Sequence, residues 1–161
     1  MEGNSTLEEF RKNLGCFRFV VLEHQLPTES ERPSHWDLLL EQPSAWGGML
    51  LTFEVFNPPV EWGPPTAVLK LPDHRSLYLD YEGPISGNRG SVIRVLEGHI
   101  QWLKKTPEFL TLRLQTASIT FGSNAVLGPL GVLEIRKNLR EANRDEWEME
   151  LLPLEKGTTV R

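Results

Sequence analysis

The sequence predicts a mostly β protein, a small antiparallel β-barrel of about eight strands with a short N-terminal helix. Three observations predict it. Short apolar stretches with period-two alternation recur along most of the chain, bounded by turn residues. The 161 residues include 13 Gly and 12 Pro, enough for a turn between successive strands. The 5 Trp and 7 Phe suit a pleated, aromatic-rich core.

Composition narrows the function classes. Hydrophobic residues make up 39% and charged residues 24%, an ordinary globular balance. A formal net charge of -5 argues against a broad basic surface tracking many phosphates, and leaves room for contact with one strand end. Cys16 is the single cysteine, so the chain has no internal disulfide and no thiolate zinc cluster, and Cys16 is expected to be a small buried hydrophobe. No run of about 18 apolar residues would span a membrane. The N-terminus carries acidic residues and no apolar core of a leader peptide, so a cytoplasmic location is expected.

The elements follow in order. Ser5 and Glu8 have capping-box spacing, and Leu7, Phe10 and Leu14 share a face, which predicts a helix over residues 5–14 within an N-terminal arm, 1–16. The β domain spans 17–152 and a loose tail 153–161. Residues 17–24 read as a strand, apolar until its polar end at Glu23 and His24. A loop rich in Pro, Ser and charge (25–34) leads to a second strand, 35–41. There Trp36, Leu38 and Leu40 face the core, while His35, Asp37 and Glu41 face the other way. An antiparallel pairing brings His24 towards His35 and Asp37.

Strands are further expected at 49–56, 67–71 and, extended, 77–81. The Pro-rich loop 57–65 carries a Trp62 that is expected to be exposed. Residues 82–90 read as a turn region, 91–96 as a strand, and Gly98 as a hairpin before 99–103. Alternation marks 110–121, and 131–136 follows the Gly128-Pro129 turn. Trp147, Met149 and Leu151 alternate with Glu146, Glu148 and Glu150 in a closing strand.

Three histidines stand at polar strand ends or turns, His24, His35 and His74, with the carboxylates Asp37 and Asp73. Divalent metals in hydrolytic sites take imidazole and carboxylate ligands and keep positions open for water and substrate. Tyr78, four residues after His74, offers a further hydrogen bond. By spacing alone, a His-x-Asp strand pair is as compatible with a structural hydrogen bond. Gly87-Asn88-Arg89-Gly90 suits an anion-binding backbone nest or an ordinary tight turn.

Phe19-Val20-Val21-Leu22-Glu23-His24 and His35-Trp36-Asp37-Leu38-Leu39-Leu40-Glu41 resemble the opening of the 3′-phosphoesterase domain of bacterial DNA ligase D, which reads roughly F-V-V-x-x-H and H-Y-D-x-R-L-E. Leu71-Pro72-Asp73-His74-Arg75-Ser76-Leu77-Tyr78, continuing to Ile85, resembles that family's E-D-H-P-x-x-Y block. The resemblance covers about residues 17–152. It implies a small barrel that binds a divalent metal, Mn2+ first, with Zn2+ or another transition metal as alternatives. The implied ligands are His24, Asp37 and His74. The implied catalytic contacts are His35, on the scissile phosphate, and Tyr78. The implied reaction removes a 3′-phosphate or 3′-terminal ribonucleotide from DNA in repair, beside separate ligase or polymerase proteins.

Departures accompany the resemblance. Leu39 stands at the family's strand arginine, Thr66 near its second arginine, and Pro72 at the Glu before Asp73. The gap between His24 and His35 is also longer. Arg75 and Arg89 are the candidate phosphate contacts, with Arg32 a further substitute. A non-catalytic metal-binding or partner-binding relative, or a phosphodiesterase on another substrate, is the alternative.

Overall fold

The computed structural model describes residues 16–121, 124–140 and 145–153. The expected helix over 5–14 and the tail beyond Pro153 lie outside the described residues; Pro153, the expected first residue of that tail, is the last of the closing strand, paired with Gly131.

Ten strands are present: β1 Phe17–Gln25, β2 His35–Leu40, β3 Leu50–Val55, β4 Thr66–His74, β5 Gly83–Pro84, β6 Ser91–Lys105, β7 Phe109–Phe121, β8 Asn124–Leu127, β9 Gly131–Lys137 and β10 Glu146–Pro153. They hydrogen-bond in the order β5-β6-β1-β2-β3-β4-β10-β9-β7-β8, and a further β6–β7 pairing closes eight of them into an antiparallel barrel. The mostly β class and the closed barrel expected from alternation are therefore what the chain forms. Closure leaves those eight strands without a free edge.

The barrel interior takes side chains from all eight strands. Phe19, Val21, Leu38, Leu40, Phe53, Val68, Leu96, Ile100, Leu112, Leu133, Ile135 and Met149 are among its buried members. A second, smaller cluster lies on the outer face of β1, β2, β3 and β6. Val20, Leu22, Leu39, Leu50 and Val92 form it, and Leu79 covers it with Tyr78, Tyr81 and Ile85 packed alongside. The outer face of β2 is thus roofed rather than bare, and this roof shelters the candidate site.

Several local expectations change. Residues 76–79 form a 3-10 turn, not extended chain. β4 runs through Pro72 to His74. Its pairing with β10 ends at Leu69, so Pro72 interrupts no ladder on that side. Gly98 is no hairpin: β6 is continuous past it, because a Cβ at Gly98 would stand 1.9 Å from the Thr116 carbonyl oxygen of β7. Glycine permits that close approach of two strands. Trp62, expected exposed, is buried, with Nε1 donating to the Asn57 carbonyl at 2.9 Å. Cys16 is only half-buried. Among the described residues no helix is long and apolar enough to cross a membrane.

Candidate metal centre

Register builds the site. β1 and β2 pair antiparallel with His24 opposite His35 and Leu22 opposite Asp37, and β2 pairs with β3 so that Asp37 faces Glu54. Alternation then turns His24, His35, Asp37 and Glu54 to the barrel's outer face, since Val21, Leu38, Phe53 and Val55 fill the inside. One ligand atom each from His24, His35 and Asp37 lies within 4.8 Å of the others. Ligands around one ion at about 2.1 Å stand up to about 4.2 Å apart. In a tetrahedral set the spacing falls to about 3.4 Å, so the three side chains would draw in by roughly 1 Å to meet one ion.

The hydrogen bonds orient both rings. His24 Nε2 donates to the Arg89 carbonyl at 2.7 Å, which leaves Nδ1, 3.4 Å from Asp37 Oδ2, with the lone pair. His35 Nδ1 donates to the Pro33 carbonyl at 3.1 Å, which leaves Nε2, 3.2 Å from Asp37 Oδ1, with its lone pair. Each ring therefore fixes its proton on a backbone carbonyl and keeps the other nitrogen beside a carboxylate oxygen, the arrangement found behind metal-bound histidines. Despite that proximity, Asp37 Oδ1 is buried with no hydrogen-bond partner. A buried carboxylate oxygen in that state is costly unless a cation or proton meets it.

The electrostatics agree with a cation-seeking site. In the metal-free protein a proton on the ring nitrogens that face Asp37 takes the place of an ion: burial acts to raise Asp37, but hydrogen bonds from His24 and His35 outweigh it and hold the carboxyl below its ordinary value. The Asp37 contact, working against burial, raises His24. The three side chains thus fit a divalent ion by donor type, by spacing and by the orphaned oxygen.

The other predicted residues line the same cavity, about 570 Å³, whose walls include Arg32, His74, Arg75, Tyr78 and Arg89. His74 stands outside the group of three: it pairs with Leu50, four residues along β3 from Glu54, about 13 Å of strand. Its Nδ1 donates to the Pro72 carbonyl at 2.9 Å, leaving Nε2 unprotonated, and its ring meets Tyr78 edge-on at 5.5 Å. Arg89 folds back on its own turn, Nε donating to the Ser86 carbonyl at 2.7 Å, so its established contact with the site is its carbonyl on His24. Arg75 is exposed. Leu39 is wholly buried in the outer apolar cluster, and Thr66 accepts a hydrogen bond from Asn57 at 3.3 Å.

Glu54 was missed by sequence reasoning. It is buried, its Oε1 lies 3.0 Å from His35 Nδ1, and Arg32 pairs with it. A lone acid in the apolar run Leu50–Val55 was the available signal. No family model matches the chain, and no curated protein matches it either.

Proposed function

We propose that this protein is a metal-dependent phosphoesterase that heals 3′ ends of DNA, removing a 3′-phosphate or a 3′-terminal ribonucleotide. The supporting observation is the convergence of His24, His35 and Asp37, with two oriented imidazoles around a buried carboxylate oxygen that lacks a partner. His24, His35 and Asp37 would hold the ion, with His74 as a further donor on the cavity wall; Mn2+ is the first candidate and Zn2+ the next. A divalent ion there supplies Lewis acidity to a phosphoryl oxygen.

The chain's own groups do the rest. The Tyr78 hydroxyl on the cavity wall would donate to a substrate oxygen, while the His74 Nε2 lone pair is free for the ion or for a proton from the attacking water. The guanidinium groups on the cavity wall balance its charge. On a 3′-phosphate, water adds to phosphorus as the bond to the 3′-oxygen breaks and a water proton passes to that oxygen, leaving a 3′-hydroxyl and inorganic phosphate; a terminal ribonucleotide is first hydrolysed at the bond from phosphorus to the ribose 5′-oxygen, which releases the ribonucleoside and leaves that 3′-phosphate. A separate polymerase or ligase in the cytoplasm would use that end.

Incubation with Mn2+ and a DNA primer ending in 3′-phosphate, or in one ribonucleotide, tests the reading. The expected product is a primer ending in 3′-hydroxyl. Protein that holds Mn2+ yet leaves both ends intact overturns it. That outcome would favour a non-catalytic metal-binding relative, which the burial of Leu39 at the family's arginine position supports.

A further inference from the structure

We propose that Arg32, seated on the buried carboxylate of Glu54, is the phosphate-gripping arginine of this site. The proposal rests on the phosphoesterase reading and names the anion contact that reading requires.

The position comes first. Arg32 belongs to the 26–34 connection between β1 and β2 and lines the cavity that holds His24, His35 and Asp37. That connection packs beside the start of β2, where His35 stands. It brings an arginine from the loop side to a site whose strand position, Leu39, is sealed in apolar packing.

The anchorage comes second. Arg32 Nη2 donates to Glu54 Oε1; the Glu54 side chain is 2% exposed and that of Arg32 63%. A carboxylate this buried needs a counter-charge, so the pair tethers the guanidinium to the solvent-facing wall of the cavity. The same Oε1 lies 3.0 Å from His35 Nδ1, so one carboxylate places Arg32 and His35 side by side. Among the described residues, Nε and Nη1 of Arg32 have no partner. Nη2 keeps its second hydrogen, and with the neighbouring Nε or Nη1 that hydrogen forms a fork for two phosphate oxygens on a side chain already tethered at one point.

The other cavity arginines lack this arrangement. Arg89 spends Nε and Nη2 on Ser86. Arg75 is exposed and has no anchoring carboxylate among the described residues.

The test uses Arg32→Lys, which keeps the charge on Glu54 and removes the fork, with Arg113→Lys on the exposed side of β7 as control. Titration calorimetry measures inorganic phosphate binding to the full chain at low salt, without and with Mn2+. A second arm compares oligonucleotides ending in 3′-phosphate and 3′-hydroxyl. Arg32→Lys is expected to weaken phosphate at least about tenfold, to erase the preference for the phosphorylated end, and to keep the wild-type melting temperature. Arg113→Lys is expected to match wild type. The proposal is overturned by Arg32→Lys binding like wild type, by equal losses in both variants, or by wild type that binds no phosphate in either condition. Failure of the metal reading shows separately, as wild type that binds no Mn2+ while its phosphate affinity still depends on Arg32.

Discussion

Asp37 sits where a carboxylate should be expensive, buried between two histidines with one oxygen unpartnered. Its charge and that of His24 set a pH window for the metal-free protein. His24 is raised above 6.5, so its contribution is whole below that value and is lost as pH climbs through the folded value. Asp37 is lowered below 3.8, so its contribution is present above that value and is lost as pH falls through the folded value. Melting temperature in excess chelator is therefore expected to fall at alkaline pH and again in strong acid, and Asp37→Asn should flatten both limbs. Unchanged limbs in that variant would show that the pair is not the source. Leu39 makes a contrasting case. Restoring arginine there would drive a guanidinium into Val20, Leu22 and Leu50. Leu39→Arg is expected to cost about 3 kcal/mol or more in urea unfolding and to gain no activity. A stable and more active variant would mean that the outer cluster opens to solvent.

At the scale of elements, the site depends on how the 83–90 segment approaches the end of β1. Gly90 has φ +81, and a Cβ there would stand 1.9 Å from the Gln25 carbonyl oxygen. The neighbouring Arg89 carbonyl accepts from His24, so displacing this turn releases that ring. Gly90→Ala is expected to destabilise by about 1–3 kcal/mol and to weaken Mn2+ binding about tenfold or more, measured by calorimetry. Intact metal affinity in a destabilised variant would separate the turn from the site. The same contact explains why the turn was ambiguous in sequence: glycine spacing shows that a close approach exists but not which strand is approached. The long β6 is a related case, since Gly98 looks like a hairpin signal locally and serves instead as the place where β7 crosses closely.

The whole molecule divides its apolar residues between a barrel interior and a roofed outer patch, and only the second borders the site. Phe53 lies inside, against Trp147 with ring centroids 5.6 Å apart. Phe53→Ala is expected to cost about 3–5 kcal/mol in denaturant unfolding. Calorimetry on the folded fraction should find Mn2+ affinity close to wild type, because Phe53 points away from the outer face. A large loss of affinity at full folding would show that interior packing sets the site's geometry. The β1–β6 and β4–β10 pairings join distant parts of the chain within the closed barrel, so unfolding should be a single cooperative transition.

Alternation and turn residues by themselves determined the fold class, most strand positions, and the antiparallel neighbourhood that brings His24 towards His35 and Asp37, but not the register that sets His24 opposite His35 and Leu22 opposite Asp37. Those are local properties, since a period of two sorts side chains to faces and antiparallel neighbours meet at their joined ends. Tertiary structure alone decided which face was buried twice, once by Leu79 and Tyr78 over Leu39, and which donors came together. His74 belongs to a strand whose register moves it along β3, whereas Glu54 and Arg32 arrive from a neighbouring strand and a loop that sequence order does not connect. Register and loop path depend on packing summed over the whole barrel, and no single stretch of sequence carries that sum.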